Sequence, residues 1–543
     1  MCQRREWTLP SSTICSLTEL KIVEREKYMI EWLKKAVFYE IYPQSFYDTN
    51  GDGIGDFNGI IEKLDYIKSL GVNALWINPC YDSPFKDAGY DVRDYKKVAP
   101  RYGTNEDLYR LFEEAHKKGI RVLLDLVPGH TSEEHEWFKE SGKAEENEYS
   151  GRYIWTDWWI KGIEGRPYIG GECERNGTYM LNFFKCQPAL NYGFLHPAES
   201  WQKSMDDPDC LATREAMRDV IRFWLSKGCD GFRVDMADSL VKNDDEKKSG
   251  TCEVWRDIFA PIRKEFPEAA FVAEWNHPSM SILSAGFDMD FYLNWGGNGY
   301  NSLLRDYETE GEDKSYFLWN AGGSIEPFLK EYVPRVEKIR GKGYLSLISC
   351  NHDTPRARWT LSADELKLAY ATLFTLPGVP FLYYGDEIGM RYLEIPTKEG
   401  GYTRTGTRTP MQWTDGANKG FSTAEADKLY LPVDPAEDAP SVESAESDPD
   451  SVLHVVRSIF ALRKDREDFD ADSEFEVLVG ETGKPFVYRR GNAVCMVNPS
   501  TKEETITLAA LKNKNVFFTV GEVTKNEKDT TVTMGAGSFA ILK

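Results

Sequence analysis

Between Val37 and about Gly385 the chain alternates short β-rich apolar runs with amphipathic stretches. The runs are VFYEIYP (37–43), VNALWINP (72–79), IRVLLDLVP (120–128), DGFRVD (230–235), AFVAEW (270–275), FDMDFY (287–292), YLSLISCNHD (344–353) and VPFLYYGDE (379–387). Several are continuously apolar, as strands buried on both faces of a parallel sheet must be. Helical periodicity lies between them, as in NGIIEKLDYIKSLG (58–71) and EDLYRLFEEAHKKG (106–119). Eight such repeats predict an α/β protein built on a closed (β/α)8 TIM barrel.

Three segments break the alternation. After the third strand, residues 129–200 are rich in Trp, Tyr, Gly and Glu and predict an inserted lobe. Residues 431–452, LPVDPAEDAPSVESAESDPDSV, are acidic and Pro/Ser-rich, and read as a surface segment or linker. From about 473 to 543 the pattern alternates with period two, which predicts a small antiparallel β domain. The domains drawn on this pattern are an N-terminal extension (1–30), the barrel's first part (31–128), the lobe (129–200), the barrel's second part (201–470) and a C-terminal β-sandwich (471–543).

Composition narrows the function classes. A net charge of −22 argues against nucleic acid and anionic membrane as partners, because both need a basic footprint. It suits a neutral substrate. The ten cysteines are dispersed with no CxxC pair, which reads as reduced and cytoplasmic. No apolar run is long enough to span a bilayer, and the first 30 residues lack the apolar core of a signal peptide. A monomer is the expected oligomeric state.

In barrels of this kind, chemistry collects at the carboxyl ends of the strands. Asp125, Arg233, Asp235, Glu274, His352 and Asp353 stand there. GFRVD puts Arg233 and Asp235 two apart, so strand alternation sends both side chains to one face. The Arg is expected to lower the Asp235 carboxyl and keep it ionised, as a covalent nucleophile must be. The alternative is a structural ion pair. Glu274 ends the neighbouring strand, where burial or a nearby negative charge can hold its proton for general acid work. His352 and Asp353, in NHD, can grip adjacent sugar hydroxyls as the ring flattens.

DLVPGH, GFRVD, AEW and NHD match, in order, four short signatures of glycoside hydrolase family 13, the α-amylase family, which the chain resembles. YEIYPQSFYDTNGDGIGDFNGI, KDAGYDVRDY, QPALN and RTPMQW resemble its branch of oligo-1,6-glucosidase, α-glucosidase, dextran glucosidase and trehalose synthase. The similarity spans about residues 32–420. It implies Asp235 as nucleophile, Glu274 as acid/base and Asp353 as transition-state stabiliser. It implies that His130, Arg233 and His352 line the subsite of the attacked glucose and that Tyr90 stacks on it. Asp87 and Arg408 would pair behind the non-reducing end, which makes relatives exo-acting. Asp125 would support the site, and Phe183 would pack at the pocket edge.

DTNGDGIGD (48–56) repeats oxygen donors at Asp48, Asn50, Asp52 and Asp56, with the Ile54 carbonyl between. Alternate donors wrapping one ion is the logic of an EF-hand-type loop. Relatives carry structural Ca2+ or Mg2+ here; the alternative is a Gly/Asp turn without metal. Three positions depart from the family. Gly129 precedes His130 where Asn is usual, which removes the expectation of a second Ca2+ between barrel and lobe. Ala189 replaces an Asp. Met236 follows the nucleophile, where α-1,6 enzymes often have Val and α-1,4 enzymes a smaller residue. The expected function is a retaining exo-acting α-glucosidase on short malto- or isomalto-oligosaccharides. The alternatives are glucosyl transfer or isomerisation of the trehalose synthase kind, an endo-acting amylase, and a non-catalytic scaffold of the same fold.

Overall fold

The computed structural model describes residues 29–543 apart from 159–164, 294–296, 307–311 and 527. Most of the expected N-terminal extension lies outside the described residues. The eight apolar runs become eight parallel strands: β1 (Phe38–Ile41), β2 (Ala74–Ile77), β3 (Arg121–Leu126), β4 (Gly231–Val234), β5 (Ala270–Ala273), β6 (Met289–Tyr292), β7 (Tyr344–Ile348) and β8 (Val379–Tyr383). They follow one another in chain order, and β8 pairs with β1 to close the barrel. Every residue of β1, β2, β4, β5, β6, β7 and β8 is buried, which is why most of these runs are dominated by apolar residues.

The barrel interior is filled by side chains. Phe38 stacks on Phe381 at 4.3 Å between centroids, and Phe291 meets Phe381 edge-on at 4.9 Å. Trp76 lies 5.5 Å from Phe291 and 5.7 Å from His352, so this aromatic plug forms the floor of the barrel mouth. At Gly231 a Cβ would sit 1.9 Å from the Ala270 carbonyl oxygen. Only glycine lets β4 start this close to β5, so the residues that follow on the two strands run side by side.

The helix expected over 58–71 is two short helices, Phe57–Glu62 and Leu64–Ser69, which break at Lys63 (φ −96°, ψ 2°). The helix expected over 106–119 spans Asn105–Lys117 and starts in a capping box between Thr104 and Asp107. The chain between β3 and the helix Pro208–Leu225 holds a short helix, Glu136–Ser141, and a hairpin of Tyr168–Gly170 with Thr178–Met180. Residues 431–452 are not a free linker. Ser441 caps a helix over Val442–Ser447, and Val442 donates to the Gln412 carbonyl, so the segment is packed onto the barrel.

The C-terminal strands are β9 (Phe475–Val479), β10 (Phe486–Arg490), β11 (Ala493–Asn498), β12 (Glu504–Thr507), β13 (Val516–Val520), β14 (Val523–Thr524), β15 (Thr531–Met534) and β16 (Ser538–Leu542). They form a five-stranded antiparallel sheet, β9-β10-β11-β16-β13, and a three-stranded one, β12-β15-β14. A separate apolar cluster of Val487, Val494, Met496, Val532 and Leu542 lies between the two sheets. No helix among the described residues is long and apolar enough to cross a membrane. The eight described cysteines are free.

Candidate active site

Parallel pairing brings the chemistry together. Asp125 on β3 is in register with Arg233 on β4. The ladder continues past the strand ends: the Asp235 amide donates to the Leu126 carbonyl at 2.8 Å, and the Glu274 amide to the Val234 carbonyl at 3.0 Å. Asp235 and Glu274 are therefore held side by side, with little backbone freedom.

Arg233 is the hub. Its Nη1 lies 2.9 Å from both Asp125 Oδ1 and Asp235 Oδ1, and its Nη2 lies 2.8 Å from Glu274 Oε2. One guanidinium serves three carboxyls, and its own side chain is only 1% exposed. The second Asp125 oxygen accepts from Trp76 Nε1 and from the Tyr90 hydroxyl, each at 3.1 Å. Glu274 Oε2 also accepts from the Met236 amide at 2.8 Å, with Met236 at φ +40°. That left-handed backbone disfavours β-branched side chains, so a valine would be strained here.

Arg233 pulls the Asp235 carboxyl down, as expected, but it is not the largest influence. Burial is the largest influence on Asp235 and lifts its carboxyl to about 7, against the pull of Arg233. Burial likewise lifts Glu274 to about 7, with Arg233 opposing and Asp235 reinforcing. Asp125 is raised to about 6, again chiefly by burial. The negative charge of Asp235 adds to the rise at Glu274, so the two carboxyls titrate in each other's field.

Across the mouth the balance is reversed. Burial would raise Asp353 too, but His352, Arg404 and Arg408 hold it well below the usual carboxylate range. Its Oδ1 lies 3.0 Å from Arg404 Nη1 and 2.9 Å from Arg408 Nη2; its Oδ2 lies 3.2 Å from His352 Nε2. His352 is fully buried. Burial pushes its imidazolium down, but Asp353 and Glu40 override this and raise it to about 9. Its Nδ1 is 2.8 Å from Glu40 Oε1, its Nε2 is 2.6 Å from the Tyr90 hydroxyl, and the Tyr90 ring stacks on it at 5.3 Å.

Asp87 does not form its ion pair with Arg408. Its Oδ1 faces Arg404 Nη2 at 3.4 Å, and its Oδ2 accepts from Gln187 Nε2 at 2.7 Å. Arg408 is turned to Asp353 and, through Nε, to the His352 carbonyl at 2.8 Å. Arg404 therefore bridges Asp87 and Asp353. Burial raises Asp87 to about 6 despite Arg404. His130 is buried between Tyr90 and Asn182, and burial lowers it to about 4. Phe183 is 50% exposed and meets Phe184 edge-on at 4.5 Å.

Four contributors escaped the sequence reading. Glu40 was visible only as a lone charge inside the apolar run VFYEIYP. Trp76 looked like any core aromatic. Gln187 sits in QPALN and Arg404 in TKEGGYTRTGTRTP, and nothing local marks either as a partner of Asp87.

The Asp48–Asp56 loop lies apart from these groups. Asp48, Asn50 and Asp52 each accept, through Oδ1, the amide two residues on, at 2.9–3.0 Å. Asp48 also takes the amides of Gly51 and Gly53 and the Ser422 hydroxyl. Asp56 caps the helix Phe57–Glu62 through Gly59 and accepts from Thr49. Its donors are oxygen-rich, as Ca2+ or Mg2+ requires. As placed they do not form a cage, since no three His, Cys, Asp or Glu groups among the described residues gather around one ion position.

The alpha amylase catalytic domain model matches residues 40–472. The chain is 34% identical over 551 residues to the oligo-1,6-glucosidase of Heyndrickxia coagulans, covering 90% of this chain and 94% of that protein. It is 34% identical over 513 residues to the trehalose synthase/amylase TreS of Mycolicibacterium smegmatis, covering 84% and 80%. Among solved structures, the trehalulose synthase of Pseudomonas mesoacidophila MX-45 superposes with a TM-score of 0.78 at 26% identity, covering 94% of this chain and 99% of that one. An isomaltulose synthase mutant from Erwinia rhapontici NX5 in complex with D-glucose matches equally, with a TM-score of 0.78 at 26% identity and the same coverage. With four signature strands delivering their carboxylates to one barrel mouth, the chain is a glycoside hydrolase belonging to the α-amylase family, glycoside hydrolase family 13.

Proposed function

We propose that the protein is a retaining, exo-acting α-glucosidase that hydrolyses short malto- or isomalto-oligosaccharides by double displacement. The observation that carries the reading is the shared guanidinium. Arg233 spans Asp235 and Glu274 at 2.9 and 2.8 Å, which favours the separation of about 5–5.5 Å of retaining enzymes over the wider gap that admits a water.

Asp235 attacks the anomeric carbon while Glu274 gives its proton to the departing glycosidic oxygen. Glu274, now a carboxylate, takes a proton from water, which attacks the same carbon and releases Asp235. Glu274 needs a proton at the start and Asp235 needs none; burial raises Glu274 toward holding its proton near neutrality, while the Arg233 contact pulls Asp235 toward the carboxylate. Asp353, kept ionised, faces the positive charge that grows on the ring. The bridge from Asp87 through Arg404 to Asp353 supports a pocket closed behind one terminal glucose, and so exo rather than endo action.

Glucosyl transfer is the second reading, favoured by the trehalose synthase relatives and by the trehalulose and isomaltulose synthase neighbours. It uses the same glycosyl-enzyme and differs in whether an acceptor displaces water. Incubation with maltose, isomaltose, sucrose, trehalose and maltotriose, with products followed by NMR, separates them. Glucose released first as the α-anomer from maltose or isomaltose supports the hydrolase. Trehalose from maltose, or trehalulose or isomaltulose from sucrose, assigns the protein to transfer. First release of the β-anomer overturns retention.

The Asp48–Asp56 loop carries the oxygen donors that a structural Ca2+ or Mg2+ site needs. Asp48, Asn50, Asp52, Asp56 and the Ile54 carbonyl would hold the ion once the carboxylates turned to one centre, and it would brace the loop without entering the chemistry.

A further inference from the structure

We infer that Asn182, on the lobe, is a positioning residue that fixes the tautomer of His130 and braces Met236 beside the nucleophile. Its carboxamide touches three side chains. Oδ1 lies 3.3 Å from Lys242 Nζ, while Nδ2 lies 3.1 Å from His130 Nδ1 and 3.8 Å from Met236 Sδ.

The direction of each bond follows from elementary chemistry. Burial lowers the Lys242 ammonium to about 7; below that pH it only donates, so Lys242 fixes Oδ1 as the end of the amide that faces it. Nδ2 must then face His130, where it can only donate, and Nδ1 of the imidazole must accept. The imidazole proton is thereby placed on Nε2, which lies 3.1 Å from the Tyr90 carbonyl and donates to it. Burial lowers His130 to about 4, so the ring is neutral at working pH and a single tautomer is a meaningful property. Tyr90 is the residue whose hydroxyl joins Asp125 and His352, so the relay runs from Lys242 to the glucose subsite.

Gly129 makes the arrangement possible. A Cβ there would stand 2.8 Å from Asn182 Nδ2 and 3.2 Å from Ser239 Oγ. The space that a side chain at 129 would fill is taken by the Asn182 amide, delivered from the other end of the lobe. The second contact reaches the acid/base. Met236 meets the amide through its thioether, and its backbone N–H holds Glu274 Oε2 at 2.8 Å. Asn182 thus steadies both the ring beside the sugar and the turn that carries Met236.

The kinetic arm of the test rests on the glucosidase reading; the spectroscopic arm does not. Asn182→Asp keeps the size and the acceptor for Lys242 but removes the donor to His130. Gly129→Ala displaces the amide while leaving Asn182 in place. Ring 15N shifts report the tautomer directly, and the chain has only 7 histidines. The parent is expected to show His130 as the Nε2–H form, and both variants to lose it. With the ring released, kcat/KM on the parent's preferred disaccharide should fall about tenfold, mostly through KM, because a group lining the subsite binds ground and transition states alike. Asn182→Gln, with the same amide on a longer arm, should recover part of the loss. An Nδ1–H parent, or variants that keep the Nε2–H form and full kcat/KM, overturns the inference. A parent that turns over no disaccharide removes the glucosidase reading and leaves the tautomer result standing.

Discussion

Replacing Glu274 with glutamine separates what this side chain does in catalysis from what it costs the fold. Its side chain is 19% exposed. Burial lifts its carboxyl from the ordinary 4.5 to about 7; Arg233 opposes, and Asp235 and Asp353 add to the rise. The folded protein therefore binds more protons than the unfolded chain between those two values, so stability falls as pH rises through that window. Below pH 4.5 the contribution is fully present, and above about 7 it is gone. The interval corresponds to about 3 kcal/mol at full effect. Glutamine does not titrate, yet its carbonyl oxygen still accepts from Arg233 and the Met236 amide. Glu274→Gln should therefore gain on the parent by about 3 kcal/mol between pH 4.5 and 8, while losing turnover. Urea midpoints of the two proteins, compared at fixed pH steps, read the gap; a chain with more than one folded unit calls for comparing midpoints, not one extrapolated free energy. A gap that stays flat or shrinks as pH rises would refute a carboxyl governed by burial.

Asp235→Asn should leave the circular dichroism spectrum intact and reduce kcat on p-nitrophenyl α-glucoside by about a thousandfold or more, and activity kept at the percent level would place the nucleophile elsewhere. Arg404→Ala removes the bridge between Asp87 and Asp353; kcat/KM on maltose should fall about tenfold and the preference for disaccharides over long maltodextrins should weaken, while an unchanged preference would free Arg404 from pocket closure. In Glu40→Gln, His352 loses a partner that holds it near 9, so the alkaline limb of kcat/KM should move to lower pH. In the parent the folded His352 value is raised, so its stabilisation is present below 6.5 and is lost as pH rises through about 9; Glu40→Gln should lose it earlier in a pH series of melts. Ca2+ at a hundredfold excess over its Kd should raise the melting temperature after EDTA treatment, by about 2–3 kcal/mol of binding linkage, and no change would leave the Asp48–Asp56 loop a metal-free turn.

The barrel was legible because its strands are buried on both faces. Most positions inside the runs are apolar, so the charges at Asp125, Asp235 and Glu274 stood out at the strand ends. What escaped depends on closure in three dimensions. Asp87 and Arg404 are 317 residues apart, and the loop TKEGGYTRTGTRTP offers Arg404 and Arg408 with no periodicity to choose between them. The stretch 431–452 read as a surface segment or linker from its acidic, Pro-rich composition; it runs along the surface, and its composition did not show that Val442 and Ala445 turn their small apolar side chains inward. Lys63 breaks a helix whose apolar spacing continues without a mark through the break.

The state of Asp235 was out of reach for a related reason. The sequence shows its neighbour Arg233 but not how many other carboxyls draw on the same charge. Asp125, Asp235 and Glu274 share one guanidinium in a largely buried site, so ionising all three leaves more negative charge than that one cation offsets. Proton uptake is the cheaper outcome, and burial raises all three. Asp353 lies near enough to raise Asp235 and Glu274 by its charge, yet it draws on Arg404, Arg408 and the His352 imidazolium, which hold it well below the usual carboxylate range. The mouth is thereby sorted into a half that holds a proton and a half that holds a negative charge. The proposed double displacement would use that division: a proton for the departing oxygen on one side, and a fixed anion facing the oxocarbenium-like ring on the other.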